Sequence, residues 1–214
     1  MIPCPSTQKN RPALHRQTVH WRTGVNPLTT EAQRLWLARA GALTEGLRGL
    51  GCLELEVLRE TVTLASPDEC LAMNLPTTQQ LHIREVCMHI DQIHCVVARS
   101  LLTPQGYSGA WQSIRRLGKR PLADLLYRDR RVTRSHFETT RVTRFHPLGA
   151  VAARQLNTTT PGILCGWQPP AWARRSVFWR EGEPLLVSEC FLPAFWVLTD
   201  KATSMRAVNT SASG

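Results

Sequence analysis

Alternation of apolar and polar positions is clearest between Trp172 and Trp196. From Arg174 to Trp179 and from Leu185 to Leu192 the residues are β-branched, aromatic or aliphatic, and Arg180-Glu181-Gly182-Glu183-Pro184 between them is turn material. The pattern predicts two antiparallel strands. Period two places Leu185, Val187, Glu189 and Phe191 on one face, and Leu186, Ser188, Cys190 and Leu192 on the other. With Glu181-Gly182 as a two-residue loop, Arg174 falls opposite Glu189. Two readings of this acid in an apolar row stand open. It is an edge carboxylate, solvated or ion-paired with Arg174, or a partly desolvated carboxylate in a cleft, able to accept a hydrogen bond from a substrate hydroxyl.

The same reasoning orders the rest of the chain. Thr29-Thr30 caps a helix from Glu31 to Arg39 that stops near Gly41, and a short second helix follows over Leu43 to Arg48, with Thr44 as its cap. Leu53 to Leu64 alternates as a strand with one wet face, and Pro67 to Gln80 reads as a loop. Leu81 to Ile90 and Ile93 to Leu102 surround a turn at Asp91-Gln92, which sets His89 opposite His94 and Arg84 opposite Arg99. Two facing cations repel, so either an anion lies between them or one arginine reaches the sheet edge or an acid such as Glu85. Ser108 to Leu117 predicts a helix ended by Gly118, and Pro121 opens another carrying Leu122, Leu125, Leu126 and Tyr127. Val132 to Phe145 predicts a further strand. Residues 146–171, rich in proline, glycine and threonine, read as a long surface insertion or lid. Residues 198–214 read as a polar tail.

Composition narrows the partners. The chain has 214 residues, 43% of them hydrophobic and 20% charged, which suits one soluble domain, 28–197, with a real core. Lys and Arg number 26 against 16 acids, giving +10, which suits an anionic partner. Basic residues form no long run, and the densest cluster, Arg128 to Arg144, is interleaved with Thr, Phe and Glu, which argues against nucleic acid and membrane. No apolar run is long enough to span a bilayer. The seven cysteines are scattered without a C-x-x-C, so neither a disulfide framework nor a zinc site is expected, and a reducing cytoplasm fits. The His89–His94 pair lacks a third ligand, so no metal is assigned. Residues 1–27, basic at first and without an apolar stretch, read as a disordered arm rather than a signal peptide, with an organellar transit peptide as the weaker option.

Several ordered blocks resemble the chorismate pyruvate-lyase family. Trp36 and Leu37-Ala38-Arg39-Ala40-Gly41-Ala42-Leu43-Thr44 are similar to its W-L-x(4)-S-[LM]-T block, with Ala42 in place of Ser. Ile83-Arg84-Glu85-Val86 and Ala98-Arg99-Ser100 resemble its two arginine strands. Leu117-Gly118-Lys119-Arg120-Pro121-Leu122 resembles its L-G-K-x-P-L block, Thr133-Arg134 and Phe137-Glu138 its T-R…F-E block, and Trp172 to Ser176 with Pro184 to Ala194 its carboxy-terminal signature. Each block is weak alone; their order is the signal. Departures are Ala42, the glycine-free turn at Asp91-Gln92 and the long segment before Trp172.

The resemblance implies an α+β fold: one mainly antiparallel sheet of about six strands, with helices packed on one side and the ligand between sheet and helical flaps. It implies a cytoplasmic bacterial enzyme, typically monomeric and free of metal and organic cofactor, that eliminates pyruvate from chorismate to give 4-hydroxybenzoate for ubiquinone synthesis. Carried over by position, Arg84 and Arg99 are the active-site arginines, Glu189 meets the ring hydroxyl, and Leu43 and Leu122 offer backbone amides to the ligand. The alternative is a non-catalytic sensor of small carboxylic acids on the same fold. Such sensors normally carry a helix-turn-helix domain, for which the residues before Trp36 leave no room. Binding of nucleic acid would need a basic face or stacking aromatics that the sequence does not display.

Overall fold

Turn chemistry and alternation build a single sheet of eight strands. The computed structural model describes residues 19–159 and 170–211. Its strands are β1 (Arg22–Thr23), β2 (Leu53–Leu64), β3 (Gln80–Ile90), β4 (Ile93–Leu102), β5 (Thr133–Arg134), β6 (Glu138–Val142), β7 (Ala171–Arg180) and β8 (Glu183–Phe191). The order is β1-β6-β7-β8-β4-β3-β2, with β5 also on β7, and every pairing is antiparallel. The expected α+β class holds, with eight strands in place of about six. The two extra ones are the two-residue strands β1 and β5. β1 comes from the segment expected as a disordered arm, of which residues 1–18 lie outside the described residues.

Both long hairpins turn on two residues in the left-handed region, Asp91 and Gln92 (φ 48° and 66°) and Glu181 and Gly182 (φ 52° and 78°). This geometry matches the twist of the strands it joins. The β7–β8 register runs unbroken and sets Arg174 opposite Glu189. In β3–β4, His89 does face His94, but the register then slips: Met88 pairs with Val96, Glu85 with Arg99 and Arg84 with Ser100. Cys95 is the extra residue of this bulge. A slip of one residue sends the following side chains to the other face, so the expected juxtaposition of Arg84 and Arg99 does not form.

Helices cover both faces of the sheet, not one. On the face that carries Arg84 and Glu189, α1 (Glu31–Leu37), α2 (Leu43–Arg48) and α7 (Pro193–Ser211) bring Leu37, Leu47 and Phe195 against Met88, Val96 and Phe191. The same face is covered further along by α4 (Pro104–Ser108), a 3-10 turn over Gln112–Arg116 and α5 (Ala123–Leu126), where one helix had been expected from Ser108 to Leu117. On the opposite face α3 (Pro67–Ala72) packs Cys70 against Leu81, Leu101 and Leu186. There too, α6 (Pro147–Thr159) sets Leu148, Val151 and Ala152 against Cys87, Val97 and Cys190. α3 replaces part of an expected loop: Ser66 and Glu69 form a reciprocal capping box with Pro67 in the first turn. α6 occupies the start of the expected insertion, whose residues 160–169 lie outside the described residues.

The far face also holds two sets of ion pairs built around the buried Arg99 and Arg175. Arg99, 6% exposed, donates from Nε to Glu69 at 2.6 Å and binds Glu85 through Nη1. Arg154 reaches the other Glu85 oxygen at 3.0 Å. Beside them Arg175 bridges Glu138 (2.7 Å) and Asp68 (3.0 Å), and Asp68 also accepts from the Trp21 indole at 3.0 Å and meets His146 Nε2 at 3.3 Å. Burial opposes ionisation of Asp68, but His146, Arg175 and Trp21 together outweigh it and hold its carboxyl below the usual range. A depressed folded-state value gives stability that is present above the unfolded value, near 3.8, and lost as pH falls through the folded one. Asp68→Asn is therefore expected to lower unfolding free energy by about 1–2 kcal/mol at neutral pH. Urea titrations at pH 7 and near pH 3 check this: the difference from wild type should shrink at the acidic end.

Candidate active site

The cavity grows from one face of the four central strands. β3 contributes Arg84, Val86 and Met88, β4 Ala98 and Ser100, β8 Val187 and Glu189, and β7 Arg174, Ser176 and Phe178. The pairings Arg84–Ser100, Ala98–Glu189 and Glu189–Arg174 put these residues on one surface, since side chains directly opposite in a sheet share a face. Leu43 and Thr44 of α2, Leu122 and Leu126 at α5, and Tyr127 and Phe137 cover it. About 700 Å³ of empty space lies between, including the mouth. The walls are mostly apolar, and their ionised side chains are Arg84, Arg174 and Glu189.

Arg84 is 6% exposed. Its Nη2 donates to the Gly118 carbonyl at 2.5 Å, and its Nη1 binds the Glu60 carboxylate. Gly118 has φ +53°, a conformation that glycine adopts at little cost and that ends the 3-10 turn before α5. The guanidinium has five N–H donors, so these two bonds leave donors for a ligand carboxylate.

Across the cavity, Arg174 is 1% exposed and holds Glu189 through Nε–H···Oε2 at 2.6 Å. Its Nη1 donates to the carbonyls of Trp36 and Arg39 at 3.1 and 2.9 Å, tying β7 to α1 and the turn after it. The Phe137 ring lies 4.3 Å from the Arg174 guanidinium and 4.2 Å from that of Arg134. With Oε2 engaged by Arg174, the second Glu189 oxygen is the acceptor left for a ligand hydroxyl. Arg84 and Glu189 are two strands apart and two residues offset, about 12 Å between Cα atoms by ordinary sheet spacing. A substituted benzene ring bridges that gap once both side chains reach inward.

Besides Ser100 and Ser176, two more polar groups face the cavity. Tyr127 accepts from Arg134 Nη1 at 3.0 Å; burial pushes its hydroxyl upward, Arg134 opposes this, and Glu189 adds to it. It stays protonated at neutral pH and can donate. Thr44 was expected to cap α2, but Ala42 occupies that position without a side-chain cap, and Thr44 sits inside the helix. Its hydroxyl is buried without a hydrogen-bond partner among the described residues, which leaves it free for a ligand. No cysteine is among the residues lining the cavity, and burial pushes Cys87 up to about 12 and Cys95 up to about 11, which keeps both as thiols.

Of the residues singled out from sequence, Arg84, Glu189, Leu43 and Leu122 line the cavity together. Arg99 does not, because the bulge at Cys95 turns it into the ion pairs of the far face. Thr44, Tyr127, Phe137 and Ser176 were not anticipated as lining residues. Alternation along β7 from Arg174 could have found Ser176, whereas Phe137 has no local signal. Among the described residues no group of three or more His, Cys, Asp or Glu could hold a metal ion, and no helix is long and apolar enough to cross a membrane.

Comparison with known proteins adds an independent line. A family model described as chorismate lyase matches residues 15–201. A probable chorismate pyruvate-lyase of Bordetella pertussis is 47% identical over 166 residues, 78% of this chain and 84% of that protein. One from Bordetella avium is 45% identical over 193 residues, 88% of this chain and 89% of the relative. Probable chorismate pyruvate-lyase 1 of Pseudomonas fluorescens is 34% identical over 191 residues, 88% and 97% of the two chains. Among solved structures, PhnF from Mycobacterium smegmatis aligns with 72% of this chain and 64% of its own at 12% identity and a TM-score of 0.48.

Proposed function

The chain belongs to the chorismate lyase family, and we propose that it eliminates pyruvate from chorismate to leave 4-hydroxybenzoate for ubiquinone synthesis. The observation that carries this reading is the placement of Arg84 and the Glu189–Arg174 couple at opposite sides of one mostly apolar cavity. That arrangement suits a flat ring with an anionic group at one end and a hydroxyl at the other. A cytoplasmic setting fits the free thiols of Cys52, Cys70, Cys87, Cys95 and Cys190.

Chorismate supplies its own driving force, since losing pyruvate aromatises its ring. The ring C–O bond to the enolpyruvyl group breaks, and the hydrogen on the hydroxyl-bearing carbon passes to the enol methylene. The ether oxygen leaves as the ketone of pyruvate. The protein's task is to fold the side chain over the ring and exclude water. Arg84 binds carboxylate by charge-assisted hydrogen bonds. Glu189, fixed by Arg174, accepts from the ring hydroxyl. Leu43 and Leu122 present backbone amides from the cover, and Thr44 adds a hydroxyl.

Incubation with chorismate tests the reading: ultraviolet absorbance should report 4-hydroxybenzoate, and coupled lactate dehydrogenase an equal amount of pyruvate. Absence of both products from the folded protein overturns it. 4-Hydroxybenzoate itself is expected to bind and to raise the melting temperature by several degrees at about 100 times its Kd, corresponding to about 2.7 kcal/mol. Benzoate, with no hydroxyl for Glu189, is expected to shift it less at equal concentration. A thermal-shift titration checks both.

A further inference from the structure

Glu60 stands where an unbroken strand would have put an arginine. From Leu53 to Val57, β2 pairs evenly with β3, Leu55 with Met88 and Val57 with Val86. Continued in that register, Arg59 would lie opposite Arg84. A bulge between Val57 and Arg59 moves the pairing by one residue, so that Glu60 meets Arg84 and Arg59 meets Glu85. One like-charged pair avoided and two opposite-charged pairs formed in one step make this bulge a charge-matching device as well as a bend.

The Glu60 carboxylate binds Arg84 Nη1 but is not among the residues that line the cavity. Its side chain is 56% exposed and borders an outer groove with His82 and Tyr107, whereas Arg84 is buried and lines the cavity. One guanidinium thus links a solvent-facing carboxylate to the ligand space.

We infer that Glu60 is a positioning residue that acts through Arg84: it holds the guanidinium from outside the cavity lining, and its charge weakens the cavity's grip on the anionic aromatic product. The inference rests on the reading of Arg84 as the carboxylate-binding residue. A ligand carboxylate on Arg84 lies on the order of 5 Å from that of Glu60, because both bind one guanidinium. At the effective dielectric of a half-exposed site, repulsion across that distance lowers anion affinity about tenfold. The Gly118 carbonyl on Nη2 keeps a second hold on Arg84 and carries no net charge.

Calorimetric titration of 4-hydroxybenzoate into wild type, Glu60→Gln and Glu60→Ala decides the matter. Glu60→Gln keeps an oxygen for Nη1 and removes the charge, so it should bind about tenfold more tightly than wild type at about 20 mM salt, with an advantage that shrinks near 1 M. A role confined to folding or orientation has no such salt dependence. Glu60→Ala, which also loses the hold on Nη1, should bind more weakly than Glu60→Gln. Equal or weaker binding by Glu60→Gln at low salt overturns the inference, and if wild-type binding is then lost in Arg84→Ala, the proposed function still stands. Failure of wild type to bind 4-hydroxybenzoate overturns both.

Discussion

Arg84→Ala is expected to lower kcat/KM for chorismate by about 100-fold or more while leaving the melting temperature nearly unchanged, whereas Arg99→Ala should do the reverse. The contrast follows from what each guanidinium leaves behind. Without Arg84, Glu60 is already half exposed and Gly118 is exposed, so water replaces both bonds, and the stability cost should stay within about 1 kcal/mol. The cavity, however, loses the cation that faces a substrate carboxylate, and truncating one partner of a desolvated charge pair costs about 2–5 kcal/mol in binding. Without Arg99, the carboxylates of Glu69 and Glu85, 4% and 3% exposed, lose their shared partner. Breaking a buried pair in this way costs about 3–5 kcal/mol of folding free energy. Thermal unfolding followed by circular dichroism, with steady-state kinetics on the same samples, separates the two. Near-normal activity in a folded Arg84→Ala variant would overturn its place in carboxylate binding.

These two arginines also mark how far the sequence could be read. The hairpin turns and the whole β7–β8 register were legible, because Glu181-Gly182 is a two-residue turn and no bulge follows it, whereas Val132 to Phe145, expected as one strand, is split into β5 and β6. The β3–β4 register was legible for Ile90–Ile93 and His89–His94, then lost at Cys95. A β-branched or sulfur-bearing residue in a strand gives no sign of whether it is paired or extruded, and one extruded residue inverts the face of everything beyond it. The like-charge conflict implied by an Arg84–Arg99 pair was itself a hint that the register had slipped, since Glu85 stands beside Arg84.

Signals for α3 and α6 were present in the chain and went unread. Ser66-Pro67-Asp68-Glu69 is a capping box with proline in the first turn, and Pro147 is followed by Leu148, Val151 and Ala152 at helical spacing. Their polar and proline-rich surroundings masked them. Phe137 and Tyr127 belong to a different class. They reach the cavity through β5, β6 and α5 folding back over distant strands, a non-local arrangement that no spacing within either segment encodes.

Glu189→Gln is expected to keep about a tenth of wild-type kcat, and Glu189→Ala to lose about 100-fold or more. In wild type one Glu189 oxygen accepts from Arg174 at 2.6 Å, leaving the other for the substrate hydroxyl. Glutamine has the same length, and its oxygen is drawn to the buried Arg174, so its amide N–H faces the hydroxyl. The hydrogen bond then survives with donor and acceptor exchanged, and orientation is largely kept. Alanine supplies neither group and leaves Arg174 with only the carbonyls of Trp36 and Arg39, at a stability cost of about 3 kcal/mol. Rates must therefore be measured below the melting temperature of the weaker variant. If Glu189 instead moved a proton, glutamine would be as inactive as alanine. The orienting role is favoured because the hydrogen that migrates in chorismate is bound to ring carbon and has its acceptor, the enol methylene, within the same molecule. Equal, near-complete loss of kcat in both folded variants, with 4-hydroxybenzoate affinity preserved in Glu189→Gln, would overturn the orienting role and make Glu189 an acid–base group.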